Sequence, residues 1–431
     1  MVIRGNLMKF VHLSDLHLGK RVNEFSMIED QKYILLQIIN MIDEIKPDAV
    51  MIAGDVYDKS VPSEDAVKLW DEFLNMLAKR HLQVYAISGN HDSAVRFAQH
   101  SQIVDLAGIH LSPVYNGSIS HFSFADEYSK ECGDVNIYLL PFVKPATVRA
   151  FYPDEEINDY TDAVRVALEH ADGPTGEDTD GVGKEPMREF GIEETGSYCG
   201  MCIDRNVRNI LVAHQFVTGA ERCESEEITV GGLDNVDASV FDDFDYVALG
   251  HIHGPQFVKR ETVRYSGTPL KYSFSEKDHH KCLTVVEIKG KKLEANGNDG
   301  DSDRQFVVEI EKIPLEAKRD LRQIRGTYEE LTDKRNYEGT NLDDYIHAVL
   351  TDEEDVPDAI SKLRIIYPYL MKLTYDNKRT RENKVIDGAA NVESKSPMEL
   401  FEEFYEKQNN QEMSDEQREL VSGLIEEIWN K

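Results

Sequence analysis

Five short apolar runs, each ended by a cluster of metal-binding side chains, constrain this chain more than anything else in it. Phe10-Val11-His12-Leu13 leads into Asp15-Leu16-His17, and Asp48 to Ala53 leads into Gly54-Asp55-Val56-Tyr57-Asp58. Gln83 to Ser88 precedes Gly89-Asn90-His91-Asp92. Asn209 to Val212 precedes Ala213-His214-Gln215, and Tyr246 to Leu249 precedes Gly250-His251-Ile252-His253. Runs rich in Val, Ile and Leu, bounded by Gly or Asp, read as buried strands. Polar groups at their carboxyl ends converge on one rim of a sheet, where α/β folds place their sites. The carboxylates, amide and imidazoles offered there suffice for two metal ions sharing one bridging carboxylate. Such an ion pair, roughly 3.5–4 Å apart, clamps the attacking and leaving oxygens of a displacement at phosphorus.

A lone Asp-x-His is usually a helix cap and a surface histidine, and a lone Gly-His-x-His is usually nothing more. Five such segments, each after a strand, point to one site. Gly54, Gly89 and Gly250 stand where the chain must turn sharply out of the sheet. Asp15/His17 and His251/His253 are spaced two apart, so in an extended segment each pair faces one side. Asp58 and Asp92 read as partners that orient a ligand, or as turn residues, rather than as ligands.

Helix 29–45 carries Ile34, Leu35, Ile38, Ile39 and Ile42 as one stripe. Helix 63–80 carries Val67, Trp70, Phe73, Leu74 and Leu77. Both stripes are expected to pack on the sheet. At 431 residues the chain has room for two or more domains. The formal net charge of −32 argues against a general nucleic-acid binder. The acidity is uneven, however: Asp154 to Asp204 holds fifteen Asp/Glu against three Lys/Arg. Lys20, Arg21, Lys59 and Arg96 lie within a few residues of the ligand clusters. Five cysteines, an odd number, suit a reducing cytoplasm, and Cys199 and Cys202 read as free thiols rather than a metal or redox pair. No apolar leader or long uncharged apolar run is present, so a cytoplasmic protein without a membrane span is expected.

The catalytic region reads as residues 8–293, with an acidic, Gly-rich insert near 171–200. A polar stretch at 294–304 marks a boundary. A small α+β domain at 305–375 is expected to hold the strand Phe306 to Ile310 and a helical stretch near 316–333. A polar linker, 376–395, precedes two short amphipathic helices in 396–431. Ser396-Pro397-Met398-Glu399 and Ser414-Asp415-Glu416-Gln417 are capping boxes. Leu400, Phe401, Phe404 and Tyr405 follow the first, and Leu420, Val421, Leu424, Ile425, Ile428 and Trp429 follow the second.

The five clusters resemble those of the calcineurin-like metallophosphoesterase superfamily. The resemblance implies an α/β fold, a β-sandwich flanked by helices. It implies one ion held by Asp15, His17, Asp55 and His253, and a second by Asp55, Asn90, His214 and His251. His91 matches the histidine that assists the leaving group. Longer stretches are similar to the SbcD family of bacterial nuclease subunits: Phe10 to Gly19, Leu211 to Val217, Val247 to Pro255, Tyr265 to Glu276 and Ser396 to Gln411. That similarity implies a Mn2+-dependent DNA nuclease, with Mg2+ or Fe2+ as substitutes. It also implies a capping domain, a homodimer within a heterotetramer, and an SbcC-like ABC-type coiled-coil ATPase docked on the C-terminal helices. The insert at 171–200 and the N-terminal extension depart from the pattern, as does Asp58, where some relatives have a histidine. A small-molecule phosphodiesterase or nucleotidase is the alternative, and a non-enzymatic scaffold a further one; neither gives a reason for both the ligand set and the terminal helices.

Overall fold

Each of the five apolar runs forms a strand. They are β1 (Leu7–Leu13), β2 (Ala49–Ala53), β3 (Gln83–Ile87), β4 (Arg208–His214) and β5 (Tyr246–Gly250). The computed structural model describes residues 7–124, 135–171, 203, 207–223, 226, 234–290, 306–378 and 380, with scattered positions between 398 and 421. The insert at 171–200, with Cys199 and Cys202, lies almost wholly outside the described residues, as does most of the linker and of the terminal helices.

Two six-stranded sheets carry the five strands. The first runs Phe306–Pro314, Cys282–Gly290, β1, β2, β3, Ile109–Leu111. The second runs Gln256–Val258, Arg260–Tyr265, β5, β4, Val135–Leu140, Ser120–Phe124. β1, β2 and β3 are parallel neighbours, as are β4 and β5. Alternate residues of the two sheets meet in one apolar layer: Phe10, Met51, Ala53, Tyr85 and Ile87 from the first, Ile137, Ile210, Val212, Tyr246 and Ala248 from the second. The period of two that builds a strand thus builds a sandwich.

The outer face of the first sheet is covered by α1 (Ile28–Ile45) and α2 (Glu64–Ala78). All five apolar residues of the α1 stripe are buried. In α2 the buried set is Ala66, Leu69, Trp70, Phe73 and Leu77, while Val67 is 46% exposed. At 3.6 residues per turn, Val67 lies about 100° around the helix from Ala66 and leaves the buried face. The second sheet is backed by Tyr160–Glu169, whose Ala163, Val164, Val166 and Ala167 are fully buried. Among the described residues, no helix is long and apolar enough to cross a membrane.

Two segments differ from their expected placement. Phe306–Pro314 pairs antiparallel with Cys282–Gly290 along nine residues, so it is an edge strand of the first sheet rather than the start of the next domain. Leu321–Gly326 is a strand, not part of a helix at 316–333; only Tyr328–Thr332 is α-helical immediately after it. The strands Leu321–Gly326, Tyr345–Leu350 and Leu370–Tyr375 form a third sheet in that order. By contact density the chain divides into two units, one of residues 1–323, 341–347 and 367–372, the other of 324–340, 348–366 and 373–431. In the second unit, Thr327 and Glu330 form a reciprocal capping box. Further on, the Ser414 amide donates to Gln417 Oε1 and the Gln417 amide to Ser414 Oγ, at 3.0 and 3.3 Å.

His12 is a buried polar residue of the sandwich layer, paired with Thr284 of the neighbouring strand. It is fully buried, and its Nδ1 meets the Tyr246 hydroxyl at 2.9 Å. Burial pushes its pKa down to about 3. It is therefore neutral when folded and charged below about pH 6.5 when unfolded. A depressed folded pKa supplies stability above the unfolded value that is lost as pH falls. Between pH 7 and 5 the loss from this residue is about 2 kcal/mol. In urea unfolding of the metal-free chain, His12→Gln is expected to flatten the difference between those two pH values by about that amount. An unchanged difference would mean that His12 does not govern acid sensitivity in this range.

Candidate metal centre

The carboxyl ends of β1, β2, β3, β4 and β5 all deliver their clusters to one place. The turns that do this are strained. Asp15, His17, Asp55 and His251 have φ of 52°, 45°, 48° and 102°. Non-glycine residues rarely enter that left-handed region. The extended spacing argument for Asp15/His17 and His251/His253 therefore does not hold: β1 ends at Leu13 and β5 at Gly250, and each pair converges through a tight turn. Backbone bonds fix these turns. The amides of Asp15, His17 and Leu18 donate to the carbonyls of Gly54, Asp55 and Val56 at 3.0, 2.9 and 2.8 Å. Gln31 of α1 braces the same loop, donating to the His17 carbonyl at 2.7 Å and accepting from the Gly19 amide at 2.9 Å.

Gly54 meets the expected need for a positive φ, at +82°. Gly250 serves another purpose. A Cβ there would lie 1.8 Å from the Ala53 carbonyl oxygen, so its role is close approach between the two sheets.

Asp55 is central. Its Oδ2 lies 3.7 Å from His17 Nε2, 3.4 Å from His214 Nε2 and 4.0 Å from His91 Nε2. Its Oδ1 accepts from the His91 amide at 2.9 Å. On one side, Asp15, His17 and His253 bring ligand atoms within 4.8 Å of one another. His17 Nε2 and His253 Nε2 are 3.2 Å apart. On the other side, Asn90 Oδ1 stands 2.9 Å from His214 Nε2 and 3.0 Å from His251 Nδ1. Asp15, Asp55 and His214 form a further set within 4.8 Å. All seven side chains expected to hold metal meet here.

Burial dominates the electrostatics. It pushes Asp15 up to about 6, and it holds His17 well below its usual value and His251 at about 3. For His214 burial opposes the charged form, but the Asp55 carboxylate outweighs it and raises the imidazole to about 9. Burial also opposes ionisation of Asp55, yet His214 and His17 keep it well below the carboxylate range. The buried Asp55 anion thus holds a proton on His214, one that a divalent ion would displace.

His91 is placed differently. Its Nδ1 donates to the Asp58 carbonyl at 3.0 Å, and its ring is 17% exposed. Asp58 gives its carboxylate to Lys20 at 2.8 Å, and that carboxylate lies 3.8 Å from His17 Nδ1. Asp92 accepts from the amides of Val56, Tyr57 and Gly89 at 2.8–3.1 Å, tying the turns after β2 and β3 together. Arg21, Lys59 and Arg96 are exposed, with Arg21 donating to the Glu24 carbonyl and Arg96 to that of Ser60. Gln31, Glu226 and Glu276 also touch the site and were not read from sequence. Glu226 accepts from the His253 amide at 2.6 Å. None of the three sits in a metal-ligand spacing, and only their burial marks them.

The sequence pattern of calcineurin-like phosphoesterases matches residues 8–255, and that of the type 5 capsule protein repressor C-terminal domain matches residues 317–409. The chain is 30% identical to the SbcD subunit of the nuclease SbcCD from Staphylococcus epidermidis (strain ATCC 12228 / FDA PCI 1200), over 98% of this chain and 100% of that one. The chain belongs to the SbcD family of calcineurin-like phosphoesterases. Two solved structures align more distantly, each 11% identical. One is TT1561 of Thermus thermophilus, covering 64% of this chain and 93% of that one at a TM-score of 0.34. The other is a dimetal phosphatase from Danio rerio, covering 66% and 95% at 0.35.

Membership of the SbcD family implies divalent-metal binding, and the residues fit it. Two imidazole nitrogens facing each other at 3.2 Å repel unless a cation or proton lies between them. The donor set is carboxylate, amide oxygen and imidazole, the mixture that hard and borderline divalent ions accept.

Proposed function

We propose that this SbcD-family chain is the nuclease subunit of an SbcCD-type complex, cutting DNA phosphodiesters at duplex ends and in single strands or hairpins. The observation that carries the proposal is Asp55 Oδ2, which faces His17 on one side and His214 on the other at 3.7 and 3.4 Å. Asp15, His17, Asp55 and His253 would hold one ion, and Asp55, Asn90, His214 and His251 the second. Two ions there, Mn2+ with Mg2+ or Fe2+ as substitutes, supply charge neutralisation at the phosphate and a water of lowered pKa. His91, its Nδ1 proton engaged by Asp58, turns Nε2 to the departing 3′ oxygen and delivers a proton there. Asp58 and Asp92 orient the residues around them. Arg21, Lys59 and Arg96 are offered to DNA phosphates; Lys20, engaged by Asp58, contributes least. The test is the purified full chain with Mn2+ on linear duplex DNA and on bis-p-nitrophenyl phosphate. Hydrolysis of the small diester with intact DNA would replace the nuclease by a small-molecule phosphodiesterase.

The partner in this proposal is an SbcC-like ABC-type coiled-coil ATPase, with a homodimer of this chain inside a cytoplasmic heterotetramer. Residues 8–293, completed by the edge strand Phe306–Pro314, perform the chemistry; the rest of 305–375 caps the DNA, 376–395 link, and 396–431 dock. Described positions in the last segment support a helical pair: Gln417 donates to the Tyr405 hydroxyl at 3.0 Å and Arg418 to Glu402 at 2.5 Å, with Phe401 and Leu420 exposed. Burying each such side chain contributes about 1.5–3 kcal/mol. Truncation after residue 390 is expected to leave cleavage of bis-p-nitrophenyl phosphate intact and to abolish coelution with the ATPase on size exclusion. Undiminished coelution would place the dock elsewhere, and early melting would assign the helices to the chain's own core.

A further inference from the structure

Behind His253 lies a buried acid that the chemistry above does not use. Glu276 is fully buried; its Oε1 stands 3.4 Å from His253 Nδ1 and accepts from the Tyr272 amide at 3.2 Å. Its Oε2 accepts from Lys281 Nζ at 2.6 Å and from Thr268 Oγ1 at 3.4 Å. Lys281, also buried, donates to the His253 carbonyl at 2.8 Å as well. The Lys281 ammonium, 2.6 Å from Oε2, pairs Glu276 as a buried carboxylate. An ionised carboxylate only accepts. The proton of this contact therefore sits on His253 Nδ1, and the lone pair is left on Nε2, the nitrogen facing His17.

The other imidazoles are held by weaker means. His214 Nδ1 donates to the Ala53 carbonyl at 2.8 Å. His17 Nδ1 is 3.8 Å from Asp58, beyond hydrogen-bond reach, and His251 Nε2 has no hydrogen-bond partner among the described residues. Among the described residues, His253 alone of the four has a carboxylate within 3.5 Å of its outer nitrogen. We propose that Glu276, balanced by Lys281, is a positioning residue that fixes the tautomer and orientation of His253. It thereby sets the divalent-ion affinity of the Asp15/His17/His253 side of the centre independently of the Asn90/His214/His251 side. The proposal rests on the reading of His253 as a ligand. Removing such a carboxylate costs about 10–100-fold in metal affinity.

The experiment is calorimetric titration of the metal-free full chain with Mn2+ alone, for wild type, Glu276→Gln, His253→Asn and the double variant. Glutamine keeps the shape but offers an N–H to His253, favouring the opposite tautomer. Glu276→Asp keeps the charge for Lys281 while withdrawing it from His253, and carries the same expectation should the amide variant melt early. Wild type is expected to bind two equivalents. Glu276→Gln should weaken one of them about 10–100-fold and leave the other unchanged. It should add nothing in the His253→Asn background, an outcome that a general loosening of the fold does not produce. Two unchanged equivalents in Glu276→Gln, equal weakening of both, or additive losses in the double variant would each overturn the role of Glu276. If His253→Asn itself keeps both equivalents, the ligand reading fails first and the positioning role falls with it.

Discussion

Asp55→Asn is expected to abolish hydrolysis, by at least about 10³-fold, while leaving the fold intact. Its Oδ2 faces imidazoles of both clusters, so the substitution removes a negative charge that the two groups of ligands share. Metal ions at such sites supply several kcal/mol of charge stabilisation, and each ~1.4 kcal/mol is tenfold in rate. Asparagine is the right probe because Asp55 sits at φ 48°. Asn tolerates that region, whereas alanine would add about 1–2 kcal/mol of backbone strain. An amide oxygen can also still accept from the His91 amide, the bond Asp55 Oδ1 makes at 2.9 Å. The measurements are turnover of bis-p-nitrophenyl phosphate with Mn2+ in excess, metal per chain, and melting temperature. Near wild-type turnover would remove the two-metal reading.

His91→Asn is expected to keep both metals and lose about 10²–10⁴-fold in activity, the usual worth of general acid–base assistance. The ring is anchored through Nδ1 to the Asp58 carbonyl, and Nε2 stands 4.0 Å from Asp55 Oδ2. That geometry leaves Nε2 beside the site without committing the nitrogen to the centre. The loss should be larger on DNA, whose alkoxide leaving group needs a proton, than on a nitrophenyl ester, whose leaving group does not. Loss of a metal equivalent in this variant, or equal losses on both substrates, would make His91 a ligand rather than an acid.

The sequence made the sandwich strands legible because each is a continuous buried run ended by ligands, and β1 to β5 form within a few residues of the expected spans. It made the convergence of Asp15, His17, Asp55, Asn90, His214, His251 and His253 legible for the same reason. Other features left no trace in it. Leu321 and Ile324 are three apart among helix-forming residues, a spacing that suits a helix as well as a short strand. Phe306–Pro314 alternates Val and Ile with Glu and Lys, which fixes a strand but not the sheet it joins. The turns at Asp15, His17 and Asp55 bend through left-handed φ because hydrogen bonds from a neighbouring loop over-determine them, and no local pattern announces such a partner. Glu276 is hidden likewise: its importance comes from burial against Lys281 and His253.

The order in which the chain supplies its parts has a consequence for the cell that makes it. β1, β2 and β3 leave the ribosome first, but β4 and β5 are encoded well over a hundred residues later, and Glu276 and Lys281 later still. β1 itself gains its second neighbour only when Cys282–Gly290 arrives to pair along it. A nascent or prematurely terminated chain therefore holds Asp15, Asp55 and His91 without the histidines that complete the centre. Fragments that end before His214 lack His214, His251 and His253 and are expected to be inert, so the ability to cut arises only late in synthesis, once the second half of the centre has been made.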